Sequence, residues 1–140
     1  MTITAPTTTA TVTTRTNLWR PTAAAAVVAA AASTAVAAVT HAAGVSLEIE
    51  GEAIPLMGFF QMVLIFTFVG FLIACGLRRW AAKPRQTFVR TCVALTAVSF
   101  VPDVLVSAAT STRLTLMATH LVAAAIVIPV VAARLSTTRA

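Results

Sequence analysis

Tyrosine is absent from this 140-residue chain and charge is scarce, with ten Lys and Arg, four Asp and Glu, and 59% of residues hydrophobic. That leaves too little polar surface to cover a water-soluble domain of this size. Only two cysteines occur, Cys75 and Cys92; with no CxxC pair and no zinc-ligand spacing, they indicate neither a disulfide framework nor a metal finger. A phosphate-binding glycine loop, a nucleophile elbow and paired catalytic carboxylates are also missing, so no motif calls for an enzyme or a cofactor. The formal charge of +6 does not argue for nucleic-acid binding, because the basic residues sit between apolar runs and form no stripe interleaved with aromatics.

What the chain does contain is apolar runs of membrane-crossing length. A span needs roughly 20 mostly apolar residues to cross a hydrocarbon core about 30 Å thick, and four fit, at about 22–43, 54–77, 88–108 and 113–133. The expected fold is an all-α membrane protein, a four-transmembrane-helix bundle of two antiparallel hairpins within residues 21–136. Nine of the first 17 residues are threonine, a tract with too little apolar surface to offset the entropy of ordering it, so residues 1–20 are expected to be a disordered cytoplasmic tail. Residues 137–140 are expected to be a second cytoplasmic tail. Trp19, Arg20 and Pro21 suit an interfacial helix start, since indole sits well at headgroup level and Pro is tolerated in a first turn.

The four spans differ in character. The first is alanine-rich, and small side chains allow close backbone approach, which predicts a place inside the bundle away from lipid. The second carries five of the seven phenylalanines (Phe59, Phe60, Phe66, Phe68, Phe71) and reads as lipid-facing. Pro102 and Pro129 interrupt the third and fourth; each removes a helix hydrogen bond, and Ser99 lies close enough to Pro102 to help satisfy the freed carbonyl.

Basic residues near span ends bias their flank toward the cytoplasm. Arg15, Arg20, Arg78, Arg79, Lys83, Arg85, Arg90, Arg134 and Arg139 fall on one side, nine of the ten, whereas Glu48, Glu50, Glu52 and Arg113 fall on the other. Both termini are therefore expected in the cytoplasm. A cleaved export signal is the alternative for the first span, because Arg15 and Arg20 precede an alanine stretch with many A-x-A triplets; its apolar run exceeds the usual core of about 7 to 15 residues.

The polar residues within or near spans are the candidate site. A carboxylate in a membrane helix is costly and tends to mark a pathway, a relay or a structural pair. Asp103 lies about five residues from the end of the third span, roughly 7 to 8 Å at the helical rise, and His120 about seven residues into the fourth, roughly 10 Å. A tight hairpin brings them level, where they could hold a proton or fix helix register. Arg113 shares a helix face with His120 and could pair with Asp103 or the acidic loop, and His41 could join them. Two histidines and a carboxylate are conceivable zinc ligands, although no HExxH or comparable spacing exists.

Cys75 and Cys92 flank the loop between the second and third spans and read as small apolar core residues. The basic run 78–90 could attract anionic lipid, but topology signalling alone accounts for it. Small proton-coupled exporters rely on an acid deep in a helix; the first span has none, and Gln61 is the main polar group of the second.

At the third and fourth spans the sequence becomes recognisable. Ser99, Phe100, Val101, Pro102 and Asp103 are followed by the stretch 114–122 with Met117 and His120, then Ile128, Pro129, Ala133 and Arg134. This resembles a family of small four-helix membrane proteins from actinobacteria, domain of unknown function family 6069, over about residues 21–134, with residues 117–129 the specific part. The resemblance implies an uncleaved first helix and a plasma-membrane location, and no activity.

Two classes of function follow. One is a non-enzymatic membrane component, a homo-oligomer or a small subunit packing its small-residue helix faces against a membrane partner protein. The other is a small transporter or proton-coupled protein with Asp103 and His120 in an outward-facing polar pocket. The lipid bilayer is the partner common to both.

Overall fold

The structure is a computed structural model that describes residues 17–135; the expectations for residues 1–16 and 136–140 lie outside the described residues. Four helices dominate: α1 Trp19–Ala42, α2 Leu56–Trp80, α3 Pro84–Leu105 and α4 Thr110–Leu135. Between α1 and α2 lies a small hairpin of β1 Glu48–Ile49 and β2 Glu52–Ala53. The helices hold 24, 25, 22 and 26 residues, or about 33 to 39 Å at the helical rise, and all four are long and apolar enough to cross a membrane.

Local chemistry explains the helix ends, which differ from the expected ones by two to four residues at most positions. Trp19 and Arg20, expected in the tail, form the first turn of α1, where Pro21 lacks only an N–H that a helix start leaves without a helical acceptor. Beyond its C-terminus, Gly44 takes a positive φ of 94° and its N–H bonds to the His41 carbonyl at 3.0 Å, a conformation that glycine adopts without steric cost. Pro84 opens α3 several residues before the expected start. That helix ends at Leu105 and not 108, because Val106 is extended after donating its N–H to the Pro102 carbonyl.

The hairpin was not foreseen. Glu50 and Gly51 both have positive φ, 54° and 85°, as a two-residue type I′ turn requires, and the register pairs Glu48 with Ala53 and Ile49 with Glu52. Its turn is tied to the α3–α4 loop by a 3.0 Å bond from Glu50 N–H to the Ser107 carbonyl.

Two antiparallel hairpins, α1–α2 and α3–α4, join mainly along α1 and α4, and α2 meets α3 less extensively. At one end Leu18, just before α1, joins Ala74, Phe88, Val131, Ala132 and Leu135 of α2, α3 and α4 in an apolar cluster. Arg20, Arg78, Arg79, Lys83, Arg85, Arg90 and Arg134 lie toward this basic end. A smaller cluster at the other, acidic end consists of Ala37, Leu47 and Phe59, packed with Val45, Ile54 and Leu116. It contains no residue of α3.

The expectation that α1 sits inside the bundle needs correction. Ala25, Ala26, Ala29, Ala30, Ser33 and Ala37 are buried along one stripe, but Val27, Val28 and Val39 on the opposite side are 55%, 57% and 69% exposed. Neighbours α2 and α4 cover only part of its circumference. Helix α2 does present Phe66 and Phe68 outward, whereas Phe59 turns into the acidic-end cluster.

Candidate functional site

Asp103 is the third-last residue of α3 and His120 lies ten residues after Thr110 begins α4. The α3–α4 turn brings them together, with His120 Nδ1 3.0 Å from Asp103 Oδ2. Asp103 is 7% exposed, while the His120 side chain keeps 35% exposure. An ionised carboxylate only accepts, so Nδ1 is then the donating nitrogen and Nε2 is left for another partner. One turn before Asp103, the Phe100 ring meets the imidazole edge-on at a centroid distance of 6.4 Å. The ring is thus held from two sides by α3.

Arg113 and His41 do not bond to this pair. The His41 ring instead donates from Nδ1 to the Val45 carbonyl at 3.0 Å, which closes the turn after α1. Arg113 forms no ion pair with Asp103 or the Glu48–Glu52 loop among the described residues, and its Nε is buried without a hydrogen-bond partner, as is the Thr112 hydroxyl. No group of three His, Cys, Asp or Glu side chains suited to a metal ion comes together among the described residues. Both cysteines are free, Cys75 exposed and Cys92 half-buried.

Sequence reasoning missed a second interhelical bond beside the first. The fully buried Ser33 hydroxyl on α1 donates to the Thr119 carbonyl on α4 at 3.2 Å. Successive α4 residues therefore reach opposite ways, Thr119 to α1 and His120 to α3. Ser33 and Thr34 interrupting an alanine run were the available signal. Ser99, expected to assist the carbonyl freed by Pro102, instead donates to the Thr96 carbonyl at 2.7 Å, because the latter lies three residues back and within hydroxyl reach.

The model of a family of unknown function, DUF6069, matches residues 13–137, a stretch that includes all four helices. The chain belongs to the DUF6069 family. No curated protein and no solved structure matches it. Together with the four apolar helices, this makes the DUF6069 chain a small multi-pass membrane protein, and membership brings no activity with it.

A second feature of this DUF6069 protein lies outside the polar pair. An open apolar groove of about 440 Å³ runs between α3 and α4, lined by Val93, Ala97 and Phe100 on one side and by Leu121, Ala125 and Pro129 on the other. Thr96 also borders it, but its hydroxyl bonds to the Cys92 carbonyl of its own helix at 2.9 Å. Neither Asp103 nor His120 lines this groove.

Proposed function

We propose that this protein is a non-enzymatic component of the plasma membrane, a small subunit or homo-oligomer with both termini in the cytoplasm. The observation that carries this reading is the use made of the polar side chains within the helices. Ser33 bonds α1 to α4 and Asp103 bonds α3 to His120, so these groups act as fasteners between helices. The collection of basic residues at one end supports a cytoplasmic basic end. The buried small-residue stripe of α1 against α2 and α4 supports retention of that helix in the mature protein.

A proton-coupled transporter is the competing reading, favoured by one observation: a buried carboxylate bonded to a histidine that keeps partial exposure. Asp103→Asn and His120→Ala variants in liposomes distinguish the two. A non-enzymatic component loses assembly or stability in these variants and shows no pH-driven flux before or after substitution. Intact assembly with loss of a measurable pH-driven flux overturns it. Affinity purification from native membranes then identifies the companion chain or a second copy.

A further inference from the structure

Arg90 lies one helical turn before the groove between α3 and α4, on the side of its mouth toward the basic end. On α3, Arg90 precedes Val93, Ala97 and Phe100 by three, seven and ten residues, the spacing of one helix face, and Arg90 is exposed. Val93, Ala97 and Phe100 are the α3 wall of the groove. From Val93 to Phe100 the helix advances about 10 Å. Val93 lies nine residues, about 14 Å, beyond Pro84 and Phe100 five residues short of Leu105, so the groove occupies the middle of the bundle and ends beside His120, whose ring Phe100 meets edge-on.

Charge at the mouth is uncompensated by acidic residues. Arg20, Arg79, Lys83 and Arg85 are exposed toward the same end, and every acidic residue of the chain lies elsewhere: Glu48, Glu50 and Glu52 in the opposite loop and Asp103 bonded to His120. Trp80, 82% exposed, and Trp19, 60% exposed, stand at this end as well, in keeping with the preference of indole for the headgroup level. We propose that this is a binding site for one anionic phospholipid, whose phosphate rests on Arg90 and whose acyl chain lies in the α3–α4 groove. A phosphatidylcholine headgroup carries its own cation and gains less from Arg90. The small side chains of Ala97, Ala124 and Ala125 keep the groove open, and its apolar walls suit a hydrocarbon chain.

Native mass spectrometry of the purified full chain in detergent tests the site, with phosphatidylglycerol and phosphatidylcholine of matched acyl chains as probes. Phosphatidylglycerol is expected to be retained preferentially. Arg90→Gln weakens it about fivefold, the worth of one basic residue at a membrane surface. Ala97→Phe, which fills the groove without changing charge, weakens it as well; Ala97→Leu serves if the larger ring prevents folding. Arg113→Gln at the acidic end leaves retention unchanged. Equal retention of the two lipids, indifference to Arg90→Gln or to groove filling, or an equal loss with Arg113→Gln overturns the proposal. So does displacement by inorganic phosphate at matched concentration, which assigns the cations to a free anion, or a two-chain species that forms in place of the lipid adduct.

Discussion

Asp103 is tied to His120 by a 3.0 Å bond in the half of α3 that the acidic-end apolar cluster does not reach. Around it Val98, Val101, Val104 and Leu105 are all more than half exposed. At the other end of the same helix Phe88 is fully buried among residues of α2 and α4 and Leu18, which precedes α1. One end of α3 is held by packing and the other by a polar bond, and the two respond differently to substitution.

The Asp103–His120 coupling is expected to be about 1 kcal/mol, within the range of interhelical hydrogen bonds in membranes. A double-mutant cycle with Asp103→Ala and His120→Ala, read by unfolding in detergent, measures it. A coupling indistinguishable from zero would show that the bond does not fasten the helices.

Loss of that bond should loosen α3 unevenly. In Asp103→Ala, amide exchange is expected to rise over the last two turns of α3 while the turns around Phe88 stay protected. Uniform exchange along the helix contradicts this division.

Phe88→Ala should destabilise more than either polar variant, by about 2 kcal/mol or more, since removal of a fully buried ring leaves a cavity that the helices fill only partly. Phe66→Ala, at a 65% exposed ring, is the control and is expected to fall within about 0.5 kcal/mol of the parent. Thermal unfolding of the two variants side by side checks the contrast.

Ser33 is buried against α4, so size matters there more than the hydroxyl. Ser33→Ala should cost about 1 kcal/mol or less, whereas Ser33→Leu forces the backbones apart and should cost about 1 to 3 kcal/mol or prevent assembly. Size-exclusion chromatography with unfolding in detergent reads both outcomes; equal tolerance of the two would show that α1 and α4 do not meet closely at this point.

Gly51→Ala strains the hairpin turn at a φ of 85°, at a cost of about 1 kcal/mol. The Glu50 amide, bonded to the Ser107 carbonyl across to the α3–α4 loop, should then exchange about fivefold faster. Unchanged exchange at Glu50 would mean that the turn conformation is not what holds this link.

Much of the architecture was legible because each part of it is local. Four runs long enough to span a bilayer specify four helices, and the grouping of the basic residues places their ends together once short turns make neighbours antiparallel. The pairing of Asp103 with His120 could be anticipated from depth alone, since both are counted from the same tight turn. By contrast, Ser33 and Thr119 are 86 residues apart, and no period or motif says which helix faces α1. The Glu50–Gly51 turn carried a readable signal in its glycine, but its attachment to Ser107 did not.

Length, hydropathy and charge asymmetry along the chain determined that this is a membrane protein of four helices with a basic end and an acidic end. Which faces meet was decided only by tertiary packing. Hydropathy cannot choose among equally apolar helix faces in lipid, so close approach of small residues and a few polar bonds select the arrangement. That selection set Asp103 on His120, turned His41 to its own helix end, left Arg113 apart from both, and opened the groove below Phe100 on the face that begins with Arg90.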